Sequence, residues 1–202
     1  MSENTDQPAE VLLQEEKRSL DPRVAFVLMV IMIVCALLIG ANKAWKKNRS
    51  DVDEGFEVWL ESNEQRCETA YNLLTVADRY LPESNSLTSA VRADLLVMEQ
   101  SATMDRMKTC AEAGTRFLKD AAALLTDLAG NQDVLQDARD SMYVKLMLPQ
   151  AVEQCANTAA LDAYNKAAAS YNAGMHSFSG MLARLTGIEY VPVVDAASEN
   201  AG

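Results

Sequence analysis

Acid–base, nucleophilic and metal chemistry all require histidines, carboxylates or thiols to be brought together, and here those residues are single or strung along helical faces. His176 is the only histidine, so any Ser–His or Cys–His diad must use it. No serine or cysteine is tied to it by a nucleophile motif, and its place after Met175 puts it on the flank of an apolar stripe. Glu57, Glu61, Glu64 and Glu68 recur at helical spacing and are the one carboxylate row that could line a di-metal face. Bundles that hold two metals also supply a Glu-x-x-His turn, which this sequence lacks, and Arg66 stands beside the row. The row reads as a solvated acidic face. No phosphate-cradling Gly-rich loop, G-x-S-x-G or H-E-x-x-H occurs. Of ten methionines, Met29 and Met32 fall in the apolar run and others on helical stripes, where thioethers fill cores. The expectation is a protein that is not an enzyme, with no catalytic, cofactor-binding or metal-ligating residue. A carboxylate-based metalloprotein or hydrolase is the lesser alternative.

Four cysteines are present, and Cys35 lies in the apolar run. The other three, Cys67, Cys110 and Cys155, are an odd number at wide spacing without a CxxC, which suggests neither zinc nor a disulfide framework. They read as small buried thiols in a reducing compartment, and Cys110 and Cys155 offer themselves as labelling sites for topology.

One motif differs in kind. Tyr164-Asn165 and Tyr171-Asn172 lie one heptad apart, with Phe178-Ser179 one heptad further. The rings fall on an apolar stripe and their polar neighbours fall beside it. An asparagine beside a bundle seam can bond across helices and fix their register.

The elements that must carry these residues start with a membrane segment. Val24 to Ala41 reads VAFVLMVIMIVCALLIGA, eighteen residues without a charge. At 1.5 Å per residue it covers about 27 Å, close to a bilayer core. The run follows 23 polar residues that carry six acids, unlike the short basic start of a signal peptide. An uncleaved transmembrane helix over 24–42 is expected. Lys43, Lys46, Lys47 and Arg49 follow it, against Lys17, Arg18 and Arg23 before it. Four against three favours a cytoplasmic bundle, and Trp45 is placed to anchor the interface as an aromatic belt residue.

Beyond the membrane the periodicity is helical. Val52, Phe56, Trp59, Asn63, Cys67, Ala70, Leu74 and Ala77 alternate gaps of three and four, a stripe of coiled-coil type. Pro82, with Ser84, Asn85 and Ser86 behind it, marks a stop and a capped restart. Val91, Leu95, Met98 and Ala102 make a second stripe. After a phase slip near Met104–Met107 comes a third, Ala111, Gly114, Leu118, Ala121, Leu125 and Leu128. Gly130-Asn131 reads as a stop, and Pro149 forces a kink or restart. Leu161, Tyr164, Ala168, Tyr171, Met175, Phe178, Leu182 and Leu185 make the last stripe. The stretch from Gly187 has no period and reads as extended, then disordered. The fold class expected is all-α, an N-terminal transmembrane helix followed by an antiparallel up-and-down bundle of about four long helices. Its divisions are a polar segment over 1–23, the membrane helix over 24–42, the bundle over 43–186 and the tail over 187–202.

Charge narrows the partners. Net charge is −11; residues 1–49 hold seven Lys/Arg against six acids, which leaves eleven against 23 beyond them. A domain so acidic repels phosphate backbones, so nucleic acid is excluded as a partner.

The segment AYNKAAASYNAGMHSFSGMLARLTGIEYVP resembles the signature of the LemA family of bacterial and archaeal membrane proteins. Tyr164, Asn165, Tyr171, Asn172, Phe178, Gly187 and Pro192 stand where that pattern puts them. The stretch YNLLTVADRY is also similar, through Asn72, Leu73, Leu74 and Tyr80. Tyr71 and Ser179 replace prolines of the pattern, and Pro149 interrupts its last helix, so the chain looks like a divergent member. The resemblance implies an anchored antiparallel bundle in a bacterial cell membrane, its C-terminal part cytoplasmic, with scaffold or adaptor work and no established reaction. A protein partner is expected and homo-oligomerisation stays open. The alternative is an extracytoplasmic sensory or signalling bundle that binds a ligand between helices.

Overall fold

Pro22 fixes the backbone for a first helical turn, and the Asp21 side chain accepts a hydrogen bond from the Arg23 N–H at 2.9 Å, so the chain enters a helix at the edge of its apolar run. The computed structural model describes residues 21–194, and every regular element among them is helical. The expected polar segment up to residue 20 and the end of the tail after residue 194 lie outside the described residues.

Helix α1 (Pro22–Asn48) passes into α2 (Ser50–Tyr80) through Arg49, whose backbone stays helical at φ −71° and ψ −20°. The two form one rod of 59 residues, about 88 Å long at 1.5 Å per residue. Its first half is long and apolar enough to cross a bilayer, and its side chains stand bare, with Met32 and Ile39 each 69% exposed. The helix runs on past the expected limit at residue 42. Its second half is the spine of a packed core, where Val52, Trp59, Asn63, Ala70, Leu74 and Ala77 are buried as the stripe requires.

Pro82 ends α2, and Asn85 accepts hydrogen bonds from the Leu87 and Thr88 N–H groups, both at 3.0 Å, to start α3 (Ser86–Gln100). The phase slip is a true break. A short 3-10 turn over Met104–Arg106 separates α3 from α4 (Met107–Gly130). These two helices pack on each other and on α2. The buried face of α4 keeps Gly114, Ala121, Leu125 and Leu128 of the expected stripe but departs from it elsewhere. Cys110, Phe117 and Leu124 are fully buried, while Ala111 and Leu118 are only half-buried, because packing against α3 sets the phase after the break and the larger ring takes the core position.

Beyond Asn131, where the sequence calls for a kink or restart at Pro149, the chain is segmented further. Helices α5 (Gln132–Gln136) and α6 (Ala138–Met142) are followed by a π-helical turn over Tyr143–Met147 and then α7 (Leu148–Cys155). Pro149 lies in the first turn of α7. The i to i+5 bonding just before it accommodates the missing N–H and the bulky ring without ending the helix. Helix α8 (Ala159–Gly174) continues the return along α2: Tyr80 meets Asp140, Arg66 meets Cys155, and Trp45 meets Tyr171.

The last stripe does not continue as one helix. Helix α8 stops at Gly174, and the Ser177 hydroxyl caps α9 (Phe178–Arg184) by accepting from the Gly180 N–H at 3.2 Å. That turn rotates Phe178 and Leu185 out of the core, to 74% and 78% exposure. Trp45 makes the opposite correction. It is no interfacial anchor but a core residue, 5% exposed, edge-on to Tyr171 with ring centroids 5.4 Å apart.

Candidate functional site

The two asparagines beside the last stripe bond to backbone, not to another helix. Gly187 at φ +83° turns the chain after α9, and residues 188–194 run back along α8 without helix. Asn172 brackets Val191: its Nδ2 donates to the Val191 carbonyl at 2.8 Å and its Oδ1 accepts from the Val191 N–H at 3.0 Å. Asn165 does the same for Val194, at 2.7 and 2.9 Å. Between them the Tyr164 hydroxyl donates to the Pro192 carbonyl at 2.8 Å. Each asparagine offers the donor–acceptor pair that a neighbouring β-strand would offer.

The spacing explains why a heptad is needed. Seven residues of helix rise about 10.5 Å, and three residues of extended chain span about 10 Å. Asn165 and Asn172 are therefore in step with Val194 and Val191. Pro192 suits the middle position, because it has no N–H to leave unpaired and its ring holds an extended φ. Val191 and Val194 are buried at 4% and 2%, and burial also raises the Tyr164 and Tyr171 hydroxyls above their ordinary pKa. The segment is a strap, fixed by main-chain recognition and two apolar side chains. Residues 187–194 thus belong to the packed unit, not to a separate tail.

A second polar centre lies deeper. Arg66 is 7% exposed, and its guanidinium donates to the carbonyls of Cys155 at 2.9 Å and Asn157 at 3.3 Å. These carbonyls close α7, so the cation stands at the negative end of that helix. Among the described residues no carboxylate lies within ion-pair distance of it, and burial lowers its pKa. Around it the Cys110 thiol donates to Asn63 Oδ1 at 3.2 Å and the Cys155 thiol to Thr69 Oγ1 at 3.4 Å. Burial pushes the Cys67 and Cys110 thiols up to about 11. At pH 7 a thiol with that pKa is ionised about one part in ten thousand, so these two are poor nucleophiles. The cysteines are free, Cys110 and Cys155 are buried as expected, and Cys67 is half-buried.

The other singled-out residues stay apart. His176 is exposed, its ring tilted against Tyr190 at 5.8 Å between centroids. Glu57, Glu61, Glu64 and Glu68 are all exposed; the last three border an open groove between α2 and α8. No three His, Cys, Asp or Glu side chains among the described residues are grouped to hold a metal. The strap was the feature the sequence concealed. Its signal was Val191-Pro-x-Val194 behind two Tyr-Asn pairs, a three-residue repeat matched to a seven-residue one.

Among the described residues the protein is all-helical, with one N-terminal helix long and apolar enough to span a membrane. No family model, no curated protein and no solved structure matches it.

Proposed function

We propose that this chain is a single-pass membrane-anchored scaffold or adaptor, a divergent relative of the LemA family. In this reading its helices form an up-and-down bundle of four rods on the cytoplasmic side of a bacterial membrane. One observation carries the proposal: a single rod joins a bare apolar half to a half that is the spine of a packed core. Eighteen uncharged residues with exposed side chains need a solvent of lipid, and fusion to the spine holds the bundle at that surface. The Tyr-Asn pairs that carry the resemblance act as backbone clamps, which is structural work. The exposed acidic row on α2 is the face offered to a protein partner.

The purified full chain is expected to float with lipid vesicles and to capture a specific protein when crosslinked in cells. Capture of none under repeated crosslinking argues against the adaptor reading. For orientation, Ala123→Cys on the exposed side of α4 should resist a membrane-impermeant maleimide in intact cells and react once they are permeabilised. Labelling in intact cells would place the bundle outside, as a sensor requires. Cys110 and Cys155 cannot serve as these reporters, because both are buried.

A further inference from the structure

Helix α9 presents an apolar face that no other element among the described residues covers. Phe178, Met181 and the C-cap residue Leu185, three and four residues apart, share one side of it and are 74%, 58% and 78% exposed. The opposite side is packed: Gly180 lies against Met175 and Ala183 is fully buried. The helix is seated on the end of α1. Near its start Gly174 touches Trp45, and beyond its end the Thr186 hydroxyl accepts from Asn42 Nδ2 at 2.8 Å. It therefore descends along α1 from the level of Trp45 to that of Asn42, where the uncharged run ends, and its bare face continues the bare face of α1.

Beside it a groove of about 400 Å³ is lined by Leu38, Ile39, Asn42, Lys43, Lys46 and Thr186. Its lower wall is aliphatic and its upper wall carries two ammonium groups, the order in which a phospholipid presents acyl chain and phosphate. The acidic bundle does not cancel this. The nearest acids along the rod are Asp51, five residues beyond Lys46 and about 7.5 Å on, and Asp53, whose carboxylate pairs with Arg49 at 3.3 Å. Glu54 is about 12 Å on, beyond the ~8–10 Å screening length of physiological salt, so Lys43, Lys46 and Lys47 keep a local excess of positive charge.

We propose that α9 is an interfacial helix. Phe178, Met181 and Leu185 insert at the headgroup–acyl boundary beside α1, and Lys43 and Lys46 hold the phosphate of an anionic phospholipid in the adjoining groove. This rests on α1 spanning the bilayer. A helix whose apolar side meets lipid while its other side meets protein has the partition of an amphipathic surface helix, here tethered in place.

The test uses the full chain in vesicles with Leu185→Trp as reporter, against the background of Trp45 and Trp59 in the parent. Met142→Trp serves as the distal control, since it is exposed and close to Asp140, which bonds Tyr80 at the far end of the rod. With lipids brominated near the headgroup, Leu185→Trp should lose emission beyond the parent, and Met142→Trp should not. At equal low fractions, brominated phosphatidylglycerol should quench Leu185→Trp more than brominated phosphatidylcholine. Protein that fails to float overturns the anchoring reading itself. Floating protein with Leu185→Trp unquenched overturns the interfacial helix alone. Equal quenching by the two lipids overturns the anionic assignment of Lys43 and Lys46.

Discussion

Replacing Asn172 tests whether the strap is held by side-chain recognition of its backbone. Asn172→Ala removes two hydrogen bonds, at 2.8 and 3.0 Å, and leaves the Val191 N–H and carbonyl without partners beside a side chain that is 4% exposed. At about 0.5–1.5 kcal/mol net per bond, the strap should lose about 1–3 kcal/mol of local stability. With 1.4 kcal/mol per factor of ten, Val191 amide exchange should accelerate about 5- to 150-fold. The Asn172→Asp variant sharpens the case. It keeps an acceptor for the Val191 N–H but turns the donor into a carboxylate oxygen facing the Val191 carbonyl, so at neutral pH it should open the strap more than alanine does. Hydrogen exchange read by NMR at Val191 and Val194 separates strap opening from global unfolding. Unchanged exchange in Asn172→Ala, or an aspartate variant no worse than alanine, would refute the clamp.

Three further outcomes follow from other contacts. Gly174→Ala should lower stability by about 1–3 kcal/mol, as overpacking does, because its Cβ would sit 2.6 Å from a Trp45 ring carbon; the shift in denaturation midpoint measures it. Arg66→Lys should weaken the bundle nearly as much as Arg66→Met in urea titration. A point ammonium cannot span the two carbonyls that the planar guanidinium reaches. Alkaline stability should fall between pH 9 and about 11. The folded thiols of Cys67 and Cys110 are held at about 11 against an ordinary 9.0, so the unfolded chain releases those protons first. Their contribution is fully present below pH 9 and lost as pH rises to about 11. Cys110→Ala should lose less than the parent across that window in thermal melts.

What the sequence makes legible is where side chains repeat at helical period against one neighbour. The α2 stripe from Val52 to Ala77 is buried nearly residue for residue, the stops at Pro82 and Gly130-Asn131 stand, and Tyr164, Ala168, Tyr171 and Met175 reach the core. Period fails where phase is reset. After Arg106 rows of the same spacing compete: Cys110 and Phe117 take the core in place of Ala111 and Leu118, Leu124 and Leu125 are both buried, and packing against α3 makes the choice. The four-residue turn at Gly174–Ser177 likewise sends Phe178 outward although its spacing from Met175 is perfect. Trp45 illustrates a third cause. Its distance from the apolar run suits a membrane belt, yet α8 and α9 return to cover it, and a local pattern carries no information about a segment that arrives over a hundred residues later. The strap escaped for the same reason, since its partner repeats every three residues and the asparagines every seven.

The unbroken passage from α1 into α2 also makes the protein a ruler with a fixed zero. Along a helix each residue is worth about 1.5 Å of height and 100° of rotation. Every exposed residue on the spine therefore has an assigned altitude above the end of the apolar run and an assigned compass bearing. Glu57 to Glu68 occupy a band of about 16 Å on one side, so in the proposed anchored state a neighbour in the same membrane would have to present its complementary surface at that height. One residue inserted in the apolar run before Leu38, clear of the stretch on which α9 is seated, would turn the whole bundle by more than a quarter circle without altering a contact inside it.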